Sequence, residues 1–182
     1  MIYIRDDDVL VRSSSHADPF AQFKKVHEMI SRCNKVLHVP SILVTEIAEF
    51  PECINYIFEE TCSGKMLPEI HGFKHIDYGK LPLHEVREHL LRCIEFHIEQ
   101  FQYMPTKFYT PWGADTSGIR SVCKELNLQL VGSANRNKLC GKSGAWELLN
   151  QGYDLNKVWK DQEIAIHWWE NHERLEKVLE RL

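Results

Sequence analysis

Three consecutive aspartates, Asp6, Asp7 and Asp8, follow directly after a short apolar segment at the start of the sequence. Like charges in contact disfavour one another's ionised form, and a divalent cation relieves that repulsion. A solvated turn that caps a helix is the alternative interpretation. The position of the aspartates at the end of a β-rich segment favours a metal or catalytic site over that alternative.

Two histidines, His71 and His75, stand four residues apart around Gly72. The preceding residues have the character of a strand, so we expect a strand-to-loop turn to bring the two imidazoles together. Two histidines with one carboxylate form a common catalytic metal set that leaves coordination positions open for water. Because the chain contains 10 histidines, a chance pair is the alternative.

Two later segments also carry groups suited to catalysis. The segment Pro111-Trp112-Gly113 is either a plain tight turn or a loop whose backbone N–H groups face a developing oxyanion. His167 follows an apolar segment and precedes Trp168 and Trp169. It is either a core histidine in an aromatic cluster or a general acid beside a sugar-stacking surface.

The elements that position these segments alternate between short strands and helices. Strands are predicted over residues 2–5, 35–39, 66–70, 107–110, 129–131 and 163–167. Helices are predicted over residues 18–32, 51–62, 82–101, 117–126 and 170–182. Residues 42–44 fit either a continued strand or the start of a helix, and residues 135–160 have no regular pattern.

This alternation predicts an α/β protein with parallel strands and right-handed crossovers. Six or so such units fit a small β/α barrel, complete or incomplete, and a doubly wound sheet is the alternative. Each of the four segments that carry candidate metal-binding or catalytic groups follows a predicted strand. Because the carboxyl ends of parallel strands form the active face in such folds, we expect the four segments to meet in one site.

Composition limits the classes of function. The chain of 182 residues predicts a single domain over residues 1–182. A net charge of −4 with no basic cluster argues against nucleic acid as a partner. The sequence contains neither an apolar segment of about 20 residues nor a signal-peptide pattern, so we expect a cytoplasmic protein without membrane insertion. The oligomeric state is left open.

Taken in order, the four segments resemble the polysaccharide deacetylase family, also called the NodB-homology or carbohydrate esterase 4 family. The family has a strand that ends in two aspartates, an H-x-x-x-H motif, a Pro–aromatic–Gly loop and a late strand that ends in histidine. The resemblance extends from residue 1 to about residue 170. It implies a distorted barrel of about seven parallel strands and a metal-dependent hydrolase that removes acetyl groups from an N- or O-acetylated sugar or glycan precursor.

The resemblance also implies a role for individual residues, with a water activated by the metal as nucleophile. Asp7 would be the base and His167 the acid. The metal ligands would be Asp8, His71 and His75. The substrate contacts would be Pro111, Trp112, Gly113 and Trp168. Zinc is the favoured divalent ion, with cobalt, manganese or nickel as alternatives. The register Asp6/Asp7 for base and ligand is the alternative to Asp7/Asp8.

The sequence departs from the family at Tyr109, which stands where the family has an arginine that tunes the base. Arg5 and Arg120 are the two candidates to replace it. The departure motivates two further hypotheses: a catalytically inactive relative that binds a glycan, and an amide hydrolase of the same fold that acts on a non-sugar substrate.

Overall fold

The computed structural model describes residues 1–10, 18–132, 151, 163–167 and 172–182. The strands are β1 (Ile2–Asp7), β2 (Val36–Leu43), β3 (Glu69–Gly72), β4 (Lys107–Tyr109), β5 (Gln129–Val131) and β6 (Glu163–His167). The helices are α1 (Pro19–Ser31), α2 (Val44–Ile47), α3 (Pro51–Cys62), α4 (Leu83–Phe101), α5 (Ser117–Glu125) and α6 (His172–Leu179). Two short 3₁₀ turns cover Tyr78–Lys80 and Pro111–Gly113.

The six strands form one parallel sheet in the order β5-β4-β3-β2-β1-β6. From β1 to β5, strands that are consecutive in the chain are neighbours in the sheet, and β6 lies on the other side of β1. A doubly wound sheet would reverse its direction near the middle, and this one does not. The expected distorted, incomplete β/α barrel is therefore confirmed, with six strands in the described residues instead of about seven.

Three strands have bounds that differ from the prediction by more than one residue, and one of them, β3, was predicted over 66–70 but covers Glu69–Gly72 and so contains His71. β1 continues through Asp6 and Asp7 because it has a hydrogen-bonded neighbour on each side, β2 and β6, which overrides the low strand propensity of aspartate. β2 was expected to end before Pro40 but continues to Leu43. Pro40 is tolerated because the regular pairing of β2 with β3 begins only at Ser41, beyond the residue that lacks an N–H.

Other boundaries follow the sequence closely. Asp18 caps α1, since its Oδ1 accepts a hydrogen bond from the N–H of Ala21 at 2.9 Å. Residues 42–44 divide between the two predicted states, because β2 ends at Leu43 and α2 begins at Val44. The irregular stretch 135–160 falls almost entirely outside the described residues.

Side chains of β1 alternate between two environments. Ile2 and Ile4 pack in a core cluster with residues of α1 and α6. Arg5 lies on the opposite, inner face of the sheet, where its guanidinium carbon is 4.6 Å from the centre of the Tyr109 ring. The period of two therefore directs Asp7 to the inner face as well. Within the described ranges, no helix combines the length and the apolar character needed to cross a membrane.

Candidate active site

Asp8, His71 and His75 meet at the carboxyl ends of β1 and β3. The Nε2 atom of His71 lies 2.8 Å from Asp8 Oδ1, and the Nε2 atom of His75 lies 3.0 Å from the same oxygen. His71 is almost fully buried, whereas His75 and Asp8 are partly exposed. The structure therefore brings together the three residues that the sequence suggested as metal ligands.

The local backbone at these residues is unusual. Asp8 has a φ of 57°, in the left-handed region that costs most residues free energy. Gly72, between the two histidines, has a φ of 149°, which a residue with a Cβ rarely adopts. Such conformations concentrate at functional sites, where the surrounding structure holds them in place. Here they direct the Asp8 carboxylate and both imidazoles toward one point.

The charges of the three side chains depend on one another. Burial opposes ionisation of Asp8, but hydrogen bonds and charge interactions with His71 and His75 outweigh it and hold the pKa of the carboxyl well below its usual range. The hydrogen bond with Asp8 raises the pKa of His75, against the effect of burial. Asp8 is therefore a carboxylate at any pH near neutrality, which is the state that coordinates a metal ion.

The donor set suits a divalent transition metal. One ligand atom from each of the three side chains lies within 4.8 Å of the other two. Two ligands of a tetrahedral zinc ion with bonds of about 2 Å lie about 3.3 Å apart. The observed distances of 2.8 and 3.0 Å are only a few tenths of an ångström shorter. One carboxylate and two imidazoles thus fit a metal ion that keeps positions open for water or substrate.

Asp7 is buried beside this group and has a partner for each carboxylate oxygen. Arg5 donates from its guanidinium to Oδ2 at 2.9 Å, and the Ser41 hydroxyl donates to Oδ1 at 2.9 Å. Ser41 also contacts the backbone oxygen of Asp6 at 3.0 Å, which ties β2 to β1 at this point. The positive charge of Arg5 offsets the cost of burying the Asp7 carboxylate. No pattern in the sequence indicated the role of Ser41.

The two candidates to replace the family arginine differ clearly in position. Arg5 is 1% exposed and lies over the ring of Tyr109, so the tyrosine forms one wall of the guanidinium site. Arg120 is largely exposed and pairs with Asp115 at 2.6 Å. Arg5 is therefore the arginine that contacts Asp7, and the Tyr109 ring on β4 packs against the Arg5 guanidinium.

A cavity of about 230 Å³ connects the acidic residues with the later segments, and its lining residues are Asp7, Asp8, His71, His75, Trp112 and His167. His167 is the register partner of Asp7 on β6, and its Nε2 lies 3.7 Å from Asp8 Oδ2. At 32% exposure, the His167 side chain is not the packed core histidine of the alternative interpretation. All four strand-end segments therefore contribute to one site.

The turn Pro111–Gly113 places Trp112 at the mouth of the cavity. Trp112 has a φ of 57°, is 70% exposed and lies with its ring centre 5.1 Å from that of His75. The N–H groups of Gly113 and Ala114 donate to the oxygens of Thr110 and Pro111 and so close the turn. Pro111 is buried beneath it. Trp168, the remaining predicted substrate contact, lies outside the described residues.

A second polar group lies on the outer face of the sheet and was not expected from the sequence. The Nε2 atom of His38 lies 3.6 Å from Asp6 Oδ2, and both side chains are fully buried. His38 Nδ1 is 3.1 Å from His27 Nδ1, and His27 Nε2 is 3.3 Å from Glu60 Oε2. Asp6 therefore faces away from the cavity, toward α1, while Asp7 and Asp8 line it.

Solved structures that match this fold include a carbohydrate esterase, a peptidoglycan deacetylase and a pseudoenzyme. A family 4 carbohydrate esterase from Streptomyces lividans has a TM-score of 0.64 at 13% identity, over 99% of this chain and 83% of the esterase. A peptidoglycan deacetylase from Bacillus subtilis has a TM-score of 0.64 at 13% identity, over 100% of this chain and 81% of the deacetylase.

A third structure is a family 4 pseudoenzyme from Bacillus anthracis, with a TM-score of 0.70 at 12% identity over 98% of this chain and 58% of the pseudoenzyme. No protein-family model and no curated protein matches the sequence. The predicted resemblance is thus confirmed as a shared fold of the carbohydrate esterase 4 type. At these identities the likeness establishes the fold, and active and inactive proteins share it.

Proposed function

We propose that this protein is a metal-dependent deacetylase that hydrolyses the acetyl amide or ester of a sugar or small glycan precursor. The observation that carries the proposal is the convergence of Asp8, His71 and His75 with Asp7 and His167 in one small cavity. The fold of the carbohydrate esterase 4 type supports the same reaction class. A cavity of about 230 Å³ suits an acetamide-sized group and part of the ring that carries it.

Asp8, His71 and His75 would hold the ion. A divalent metal at these residues, zinc in the first instance, would supply Lewis acidity toward the acyl carbonyl and lower the pKa of water at the site. Asp7 would accept the proton of the attacking water at its carboxylate, which Arg5 and Ser41 hold in place. The arrangement favours the register Asp7/Asp8, because Asp6 faces the other side of the sheet.

His167 and Trp112 complete the proposed reaction from the other strand ends. The His167 imidazole would donate a proton to the departing amine or sugar oxygen. The exposed Trp112 ring would stack on a sugar. Because the N–H groups of Gly113 and Ala114 are used within the turn, the Trp112 N–H is the backbone donor we assign to the oxyanion.

An inactive glycan-binding protein is the second candidate function. The pseudoenzyme with the same fold and the tyrosine at position 109 motivate it. The salt bridge between Arg5 and Asp7 argues for an enzyme, because a protein that only binds glycans has no need to bury a charged carboxylate beside the metal-ligand group. An amide hydrolase for a non-sugar substrate would share every residue of the site and is distinguished by substrate alone.

The first experiment tests the metal centre. Purified wild type, His71→Ala and His75→Ala are loaded with zinc or cobalt, dialysed and analysed for bound metal, with the exposed His84→Ala on α4 as the control. We expect one bound ion in wild type and in the control and almost none in the two site variants. Equal metal content in all four proteins would exclude this centre.

The second experiment tests the reaction. Zinc-loaded protein is assayed for acetate release from chitin oligosaccharides, acetylated nucleotide sugars and acetylated non-sugar amides. Release that disappears in Asp7→Asn identifies the activity and its substrate class. Glycan binding without release, unchanged in Asp7→Asn, would instead identify a binding protein.

A further inference from the structure

The turn that carries the two histidines rests on a buried tyrosine that the proposed reaction does not use. The N–H of Phe73 donates to the hydroxyl oxygen of Tyr78 at 2.8 Å. Phe73 lies midway between His71 and His75 in the sequence, so its peptide sets how the turn runs from one imidazole to the other. Tyr78 is fully buried, although its hydroxyl contacts a turn at the edge of the cavity.

The ring of Tyr78 is fixed by the core. Its centre lies 5.1 Å from that of Phe108 on β4 and 5.8 Å from that of His89 on α4, in edge-on contacts. The 3₁₀ turn that contains Tyr78 is held by Asp77, whose Oδ1 accepts the N–H of Gly79 at 3.0 Å. These contacts therefore fix the position of the Tyr78 hydroxyl beneath the turn that carries the two histidines.

Phe73 has a second anchor at its carbonyl group, in the next peptide unit. The carbonyl oxygen of Phe73 accepts the N–H of Thr45, at the start of α2, at 3.0 Å. Gly72 must pass very close to the tyrosine, since a Cβ at Gly72 would lie 2.8 Å from the Tyr78 hydroxyl oxygen and 3.0 Å from its Cε2. Burial raises the pKa of Tyr78, so the hydroxyl stays neutral near physiological pH.

We infer that Tyr78 is a positioning residue for the metal centre. Its hydroxyl holds the Phe73 peptide so that His71 and His75 reach the Asp8 carboxylate together. The inference rests on the metal centre proposed above. Groups that orient metal ligands from outside the coordination sphere typically contribute about 10- to 100-fold to affinity. We expect an effect on affinity near tenfold, because the N–H of Thr45 continues to hold the carbonyl oxygen of Phe73.

The test is cobalt binding to the whole chain carrying Tyr78→Phe, which keeps the ring and removes only the hydroxyl. We expect a dissociation constant for cobalt about tenfold higher than that of wild type, and a changed visible absorption spectrum of the bound cobalt. The spectrum reports the ligand geometry, so a loss of overall stability alone would leave it unaltered in the folded protein.

A matched control is Tyr103→Phe, which removes a tyrosine hydroxyl that donates to Glu69 Oε1 at 3.2 Å, at the start of β3. We expect this variant to keep the wild-type cobalt affinity and spectrum. Gly72→Ala places a methyl group against the Tyr78 hydroxyl, and we expect it to weaken cobalt binding as well. It provides the decisive measurement if Tyr78→Phe does not fold.

The outcomes separate this inference from the proposed function. Wild-type affinity and spectrum in Tyr78→Phe, or in Gly72→Ala where that variant decides, would show that the contact is only structural and would leave the metal centre intact. Failure of wild type itself to bind cobalt would exclude the metal centre and the inference together.

Discussion

The guanidinium of Arg5 lies 2.9 Å from the Asp7 carboxylate, on the same inner face of β1. Arg5 and Asp7 are two residues apart on β1, so the pleat of the strand directs both side chains into the barrel. The ring of Tyr109, at the position where the resemblance to the deacetylase family leads one to expect an arginine, lies against the guanidinium. We interpret the three residues as a rearrangement that keeps a cation beside the proposed base.

Replacing Arg5 with glutamine is expected to impair both folding and catalysis. The variant would remove the guanidinium that donates to the buried Asp7 carboxylate at 2.9 Å. Breaking a buried ion pair typically costs about 3–5 kcal/mol, so we expect a fall of about 3 kcal/mol in the free energy of unfolding. We also expect deacetylation to fall at least about 100-fold. Urea unfolding and acetate release measure the two effects.

Two further variants test the charge argument. Arg120→Gln removes the exposed alternative arginine and should change the free energy of unfolding by less than about 0.5 kcal/mol. The double variant Arg5→Gln with Asp7→Asn removes both charges and should be more stable than Arg5→Gln alone. A double variant less stable than the single one would contradict the role of charge.

The three aspartates are expected to respond differently to substitution by asparagine. Asp8→Asn should lose most of the bound zinc, because it removes a charged ligand. Asp7→Asn should keep the zinc and lose about 100- to 10,000-fold in turnover, since it removes the base. Asp6→Asn should keep zinc and turnover per folded molecule. Metal analysis and acetate release on the same preparations decide between the two registers, and zinc loss in Asp7→Asn would favour Asp6/Asp7.

Much of the fold and part of the site could be predicted because they depend on local patterns. The alternation of strands and helices defines the β/α units. Strand ends that share one edge of a parallel sheet account for the meeting of Asp8, His71 and His167. These relationships follow from secondary structure and topology, which short sequence windows report well.

The remaining features depend on contacts between strands that the sequence does not encode locally. The approach of Tyr109 to Arg5 needs the register and curvature of β1 and β4, which are not adjacent in the sheet. The contact between Ser41 and Asp7 needs β2 to continue past Pro40, against the local signal. The hydroxyl of Tyr78 meets the turn between His71 and His75 only because core packing sets the position of its ring.

Buried histidines are expected to make the protein acid-sensitive. Burial lowers the pKa of His27, against the opposing charge of Glu60, and lowers the pKa of His38 well below its usual value. The contact of 3.1 Å between their Nδ1 atoms needs one ring to donate and the other to accept. Burial likewise lowers the pKa of His97, to about 4. All three rings are therefore neutral in the folded state near pH 7.

A histidine whose pKa is lower in the folded state stabilises the fold above pH 6.5, its unfolded value, and loses that contribution as the pH falls below it. His97 alone should contribute a loss of about 1.3 kcal/mol between pH 7.5 and pH 5.5. His75 acts in the opposite direction, because its pKa is raised. Urea unfolding of wild type and His97→Gln at both pH values measures the difference, which should be smaller in the variant. An equal or larger pH effect in His97→Gln would refute this assignment.

His167 is expected to act on the leaving group without contributing to metal binding. It is the register partner of Asp7 and lines the cavity, with its Nε2 3.7 Å from Asp8 Oδ2. His167→Asn should therefore keep the bound zinc and lose about 100-fold or more in turnover of an acetylated amine. The loss should be much smaller for an aryl acetate, whose leaving group departs without protonation. An equal loss on both substrates, measured beside the control His84→Asn, would show that His167 does not act as the acid.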